Sequence, residues 1–470
     1  MSNQSHTRTP IAKALAVNED PSFYGAFAEI GAGQEVARHF FTAGKASQTI
    51  AKTMSAYDMV YSDEIYGKEA SGRYVCESRL IKMLDKEFSL LVRRLGKARG
   101  EKSRFFAFAN TVATTAQGTR AGGSPSSRQS HGWMGVRFQN RPGGEWNEIV
   151  IHVRALDRYR LLQQEAIGVL GVNLVHLAYL GLPNTKDIIP FLIDSIKPGQ
   201  VAIDTLLVRG PDLKSVDNNL LNLELVRRGL AEAILFSPKR EILDISDTFF
   251  DRALVIERGI FRPITNSHLE ILDCGLKQFK RDFPNEKSPF VALEITMNPA
   301  TDHRQFDESD YLDRVKMMTA AGHNVLVSQF FLFYRLKRFL RMYTKRTLGL
   351  LVGATLLNKM LDEEFYRDLE GGILEGLGKL FDQNTKVYVF PTQKSGTLSD
   401  FVPPKGMESL FHHLLNQGAL KDIEAEPGKN KFVLSEQVHE MLMRGDSNWE
   451  KHVPLEVSRI IKSENLFAKV

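Results

Sequence analysis

From about Thr185 onward, continuous runs of leucine and β-branched residues recur between helical stretches. They are VAIDTLLVRG, EAILFSP, ALVIERG, FVALEITM, NVLVSQF, LGLLVG and KVYVFPT. Strands apolar at every position, rather than at alternate ones, suit a mostly parallel sheet covered by helices on both faces. The pattern from Thr185 onward therefore predicts β-α-β units, either doubly wound or closed into a barrel; strand number alone does not choose. The first half reads differently. Phe23 to Gly100 has helical periodicity, clearest in SRLIKMLDKEFSLLVRRL, whose apolar residues fall three and four apart. Phe105 to Asn110 predicts a short strand, and WMGVRFQ and EIVIHVRALD a hairpin across RPGGEW. Ala166 to Leu182 is the most apolar segment, but Asn173 and His176 interrupt it, so it predicts a buried helix rather than a membrane span. Beyond Pro391, a break at Pro403 and Pro404 precedes Met407 to Gln417 and two further helical pieces.

Composition narrows the partners. The chain has 470 residues, 61 bases against 56 acids and a net charge of +5. Nucleic acid is not expected from so even a balance, whereas phosphorylated small molecules are compatible with it. Cys76 and Cys274 are the two cysteines, with no zinc-type spacing, so no metal site is read and a cytoplasmic setting is expected. The N-terminal twenty residues are polar, without the apolar core of a leader.

Candidate chemistry concentrates in ALVIERGIFRPITNSHLEILDCGLKQF. A strand ends at Glu257, a glycine turn follows, and a helix opens near Thr265. A helix N-terminus beside a strand end favours anions, since unpaired N–H groups and the macrodipole meet there. The segment resembles the nucleotidylyltransferase signature, Gly-x-Phe-x-Pro-x-(His/Thr)-x-Gly-His. Gly259, Phe261, Pro263, Thr265 and His268 fall in register, while Ser267 stands at the glycine before the histidine and Arg262 where an Asp is common. FVALEITMNPATDHRQF is similar to the family's second strand and its Asn-Pro turn, with Asn298 and Pro299. LGLLVG resembles its fourth strand, ending at Gly353, and KVYVFPTQKSGTLSD its fifth strand and serine-rich nucleotide loop, with Ser395 and Thr397. Asp400 stands near the place of that loop's expected basic residue.

The resemblance implies a Rossmann-like α/β domain over 246–400, between a mixed α/β region over 23–245, after a flexible tail over 1–22, and a small helical cap over 401–470. It implies ATP with Mg²⁺ as cofactors and transfer of AMP to a phosphate acceptor such as nicotinate mononucleotide, as in NAD biosynthesis. Thr265 and His268 would hold the triphosphate. Gly259, Phe261, Pro263, Gly353, Ser395 and Thr397 would line the nucleotide, and Asn298 and Arg304 the acceptor. FAEIGAGQEVARHFF is similar to the opening of a bacterial family that carries such a label in part. The alternatives are a non-catalytic nucleotide-binding or self-assembling scaffold, homo-oligomeric, on the same fold, or a barrel enzyme acting on a phosphorylated metabolite.

Weaker signals remain. GTRAGGSPSSRQSHG, from Gly118 to Gly132, reads as a solvated loop or an anion lid. EIGAGQEV lacks a recognisable preceding strand and a third glycine, which argues against a dinucleotide site. The basic run from Arg335 to Arg346 reads as a solvated helix face. Asp204, Arg209, Glu257 and Arg258 sit at predicted strand ends, where open sheets place ligands.

Overall fold

A computed structural model describes residues 9–470, apart from 71, 115–129, 183, 298–306, 392–395, 425–432 and 468–470. It divides into two units, Met1–Ala231 and Glu232–Val470, each built on its own sheet.

The first unit runs α1 (Pro10–Asn18), β1 (Phe23–Gly31), α2 (Glu35–Ala43), β2 (Ile50–Ala56), α3 (Met59–Tyr66), α4 (Glu77–Arg99), β3 (Arg104–Ala113), β4 (Ser130–Gln139), β5 (Trp146–Ala155), α5 (Arg160–Tyr179), α6 (Ile188–Leu192), β6 (Val201–Arg209) and α7 (Asn218–Arg227). Among the described residues, the strands form one sheet in the order β2-β1-β3-β4-β5-β6. β1 pairs with β2 and β3 in parallel, and the remaining neighbours are antiparallel. This sheet is mixed, not mostly parallel. The expected hairpin forms from β4 and β5.

Two strands lie where helical periodicity was read. β1 (FYGAFAEIG) is rich in small residues and weak in β propensity, and the reason is packing. A Cβ on Gly25 would lie 2.3 Å from the Phe106 ring, so neighbouring aromatics fill the space that β1 leaves. Phe27 meets Phe40 of α2 and Phe106 and Phe108 of β3 on one face. Ala28 and Ile30 join Leu80, Met83 and Leu84 of α4 on the other. EIGAGQEV thus does have a strand before it and a helix after it, and the ground on which a preceding strand was doubted falls. α5 is long and apolar enough to cross a membrane, but 72% of its apolar window is buried inside the protein. Gly171 lets Val36 of α2 approach to where a Cβ would sit, which is core-helix packing. The loop read from Gly118 to Gly132 falls largely outside the described residues; its last residues, from Ser130, belong to β4.

The second unit runs β7 (Ala233–Phe236), β8 (Ile242–Leu243), α8 (Ile245–Phe249), β9 (Leu254–Arg258), α9 (Asn266–Asp282), β10 (Phe290–Thr296), α10 (Glu308–Ala320), β11 (Asn324–Ser328), α11 (Phe333–Leu340), β12 (Leu348–Gly353), α12 (Ala354–Met360), α13 (Gly372–Leu380), β13 (Thr385–Phe390), α14 (Glu408–Asn416), β14 (Leu420–Asp422), α15 (Ser435–Met443) and α16 (Leu455–Glu464). Its sheet is open, in the order β14-β13-β12-β9-β10-β11-β7-β8. β9 to β14 are all parallel, while β7 and β8 complete one edge in antiparallel fashion. An open sheet excludes the barrel. One face packs Leu254, Ile256, Leu350 and Val352 against α11, α13 and α14. On the other, a Cβ on Gly275 of α9 would lie 2.7 Å from Leu351, so α9 covers that face. The segment read as a purely helical cap also supplies β14, which pairs with β13. The basic run is tied down in part: Lys337 and Arg341 both bond Asp382. Burial pushes the Asp382 carboxyl up, but these cations and Thr385 outweigh it and hold it at about 2.

Candidate functional site

The order β11-β10-β9-β12-β13-β14 makes the chain leave β9 toward one edge, return, and continue from β12 toward the other. The connections after β9 and β12 therefore diverge, and the region outside the carboxyl ends at such a point is the usual ligand position in open α/β sheets. Arg258 and Gly259 end one strand and Gly353 the other. Gly353 is also the N-cap of α12, with nothing within 4 Å of where its Cβ would stand. A backbone this bare admits close approach by a ligand.

The turn from β9 to α9 carries the signature residues. Gly259 N–H donates to the Glu294 carbonyl (3.2 Å). A Cβ there would lie 2.8 Å from the Phe261 ring, so the glycine is required by the protein's own packing. Phe261 is fully buried, with φ +47°, and its ring lies 4.8 Å from that of His268. Arg262–Pro263 is a cis peptide. Thr265 is the N-cap of α9 and fully buried. Its N–H donates to His268 Nδ1 (3.0 Å), and its Oγ1 lies 2.9 Å from the same nitrogen. The structure thus brings Thr265 and His268 together. A nitrogen that accepts from an N–H carries no proton, so the His268 proton is on Nε2. Burial pushes this imidazole down to about 4, leaving it neutral at pH 7.

Glu257 is 2% exposed. Its register neighbours are Leu293 and Leu351, on the face covered by α9. Its Oε2 is buried without a hydrogen-bond partner. Burial raises its pKa well above the ordinary carboxylate value. Arg258, on the opposite face, is consumed by Glu294 through Nε (2.5 Å) and Nη2 (3.0 Å), and by the Phe331 carbonyl (2.8 Å).

Contacts that sequence reasoning missed fasten the turn. Ser435, the first residue of α15, accepts from Arg262 N–H (2.8 Å) and donates to the Pro263 carbonyl (3.0 Å). Arg314 of α10 donates to the Ile260 carbonyl (3.3 Å), and Asp310 pairs with Arg262 (2.7 Å) and with Arg314. Ser267, at the signature's glycine position, accepts from Val433 N–H (3.2 Å). Nothing in the pattern around Ser435 signals this role, because its partners lie more than 170 residues away.

Thr397 is exposed, its N–H and Oγ1 both bonded to Asp400 Oδ2 at 2.9 Å. Asp400 is thereby engaged locally. Asn298, Arg304 and Ser395 lie outside the described residues. No group of three or more His, Cys, Asp or Glu side chains suited to a metal ion occurs among the described residues.

The chain matches no protein-family model and no curated protein sequence. It does match solved structures of competence-damage proteins. The competence/damage-inducible protein CihA from Agrobacterium tumefaciens is 17% identical, with a TM-score of 0.24 over 38% of this chain and 97% of that one. A CinA superfamily protein from Enterobacter cloacae is 15% identical, with a TM-score of 0.24 over 41% of this chain and 98% of that one. TM-scores this low give the likeness no weight for fold or function.

Proposed function

We propose that the second unit binds a nucleoside triphosphate, ATP with Mg²⁺, outside the carboxyl ends of β9 and β12 and transfers its nucleotidyl group to a phosphate-bearing acceptor. The observation that carries the reading is the strand order, which sets the Gly259–His268 turn and Gly353 at the topological switch point of an open parallel sheet.

The residues fit a triphosphate through hydrogen bonds and the helix dipole. α9 has 17 residues, long enough for a full macrodipole, and within its first turn the His268 N–H is already bonded to the Thr265 carbonyl (3.1 Å). His268, neutral with its proton on Nε2, is a donor to phosphate oxygen. The nearby guanidiniums are engaged, Arg258 by Glu294 and Arg262 by Asp310. Mg²⁺, carried by the phosphates themselves, would neutralise their charge. Transfer by in-line attack on the α-phosphorus needs positioning and charge stabilisation rather than a protein nucleophile.

One observation favours a second reading, binding without turnover: Ser435 and Arg314 already occupy backbone groups of the turn. Titration calorimetry of ATP with Mg²⁺ into the full chain, beside His268→Ala and Ser435→Ala, tests both. Binding that is lost in His268→Ala, with pyrophosphate released when phosphomonoester acceptors are added, supports transfer. Binding without release supports the second reading. No binding in the wild type or in Ser435→Ala overturns the assignment.

A further inference from the structure

A sheet edge is a row of unpaired backbone groups that invites another strand, and a chain that does not use an edge closes it. Among the described residues, the sheet edges are β2 and β6 in the first unit and β14 and β8 in the second. Three of these are closed or too short to carry a ladder. Along β6, two asparagines of α7 stand in for a further strand. Asn222 accepts from the Leu206 N–H (3.0 Å) and donates to the Leu206 carbonyl (2.6 Å). One helical turn earlier, Asn218 does the same for Val208, at 2.8 and 2.9 Å. β14 has three residues and β8 two.

β2 is the exception. It has seven residues and pairs with β1 along one side. Among the described residues, no strand pairs with its other side, and no hydrogen bond outside the β1 ladder reaches the backbone of 50–56. The devices that blunt an edge are sparse here. The strand has no proline. Its extra residue, Ala51, lies at the start, where the register steps from Gly25–Ile50 to Ala26–Lys52, and Lys52 to Ala56 then run regularly. Lys52, its one charged residue, is neutralised by Glu87 (2.6 Å). Thr53 and Ser55 are exposed. Directly after the strand, Tyr57, Met59, Val60 and Tyr61 are exposed by 69, 56, 68 and 60%. Large apolar side chains gathered in this way mark an interaction surface.

We propose that β2 is the interface of a homodimer, in which two copies of this chain pair their β2 strands antiparallel about a two-fold axis and join their first sheets into one. A second copy is the occupant that this edge selects. An edge strand is its own complement, since a two-fold axis brings the same row of donors and acceptors antiparallel to itself. Self-pairing opposes like charges wherever a strand bears them, and β2 bears only Lys52, whose charge Glu87 offsets in each copy. A stable dimer buries about 800 Å² on each partner, more than a ladder of five residues supplies. The exposed residues after the strand add to it, because each tyrosine can bury roughly 150–250 Å², with Met59 and Val60 beside them.

The test is sedimentation equilibrium of the full chain at micromolar concentrations. The wild type is expected at twice the mass of one chain. Thr53→Glu with Ser55→Glu places charge at two exposed positions, so the chain keeps its fold while like charges meet across the two-fold axis. That variant and its counterpart, Thr53→Lys with Ser55→Lys, are each expected to be monomers with wild-type circular dichroism. Mixed in equal amounts, they should regain the dimer, which separates a broken interface from a misfolded chain. A monomeric wild type overturns the proposal, as does a dimer that both charged variants leave intact or a mixture that stays monomeric. Hydrogen exchange of the wild type needs no substitution. The amides of 52–56 should be protected in the dimer and lose that protection on dilution to the monomer, and equal exchange in both states also overturns it.

Discussion

The half-buried histidine at the start of α9 makes the stability of the second unit depend on pH in a calculable way. In the folded chain the His268 imidazole is held at about 4, against an ordinary value of 6.5, because burial penalises its charged form. Its folded value is depressed, so below 6.5 the unfolded chain binds a proton that the folded chain refuses. The contribution is complete above pH 6.5 and is lost as pH falls toward 4. Linkage between these two values gives a loss of about 2 kcal/mol between pH 8 and pH 5. The substitution that isolates this effect is His268→Gln. Glutamine at the third helical position, with Thr265 at the cap, completes a capping box and keeps the bond to the Thr265 N–H while removing the titration. Hydrogen exchange of peptides from α9 in the full chain, wild type beside variant at each pH, reads the local opening equilibrium. The wild-type opening constant, relative to the variant's, should rise by about thirtyfold from pH 8 to pH 5. A ratio that stays constant across this range would refute the reasoning, since it would mean that the folded imidazole charges as freely as the unfolded one.

Other outcomes follow from the same contacts. Glu294 is fully buried and receives Arg258, so Glu294→Ala should cost about 3–5 kcal/mol in denaturant unfolding by leaving a buried guanidinium uncompensated. Gly259→Ala should destabilise by about 1–3 kcal/mol, because the added carbon meets the Phe261 ring, and should do so whether or not ATP is present. Ser435→Ala removes one donor and one acceptor from the turn. It should cost about 1–3 kcal/mol and raise hydrogen exchange in 259–264, with little change in β13.

What the sequence determined by itself is local and periodic. The seven apolar runs are strands because successive positions in them are mostly apolar rather than alternating, and burial on both faces is legible without knowing the partner. The glycine turn and Thr265 start α9 where the pattern put the helix, because capping and helix initiation involve residues within one turn of each other. Small-residue strands were not legible. β1 reads as helix because Gly25, Ala26 and Ala28 have no β propensity of their own, and only the Phe106 ring and pairing with β2 and β3 make the segment extended. β14 was missed for a related reason, since three residues acquire strand character only beside β13. Tertiary structure alone decided that the second sheet is open with its switch point between β9 and β12, because strand order is a property of pairing and not of any strand. It also decided which charges are committed. Arg258 and Asp204 sit at predicted strand ends, where ligands bind, yet each meets its partner only in the fold: Glu294 and Arg154 lie 36 and 50 positions away. Between β5 and β6 the register slips from His152–Thr205 to Val153–Ile203, so that Asp204 is the extra residue of a β-bulge; it leaves no mark on the apolar pattern, because a bulge is defined by what lies opposite.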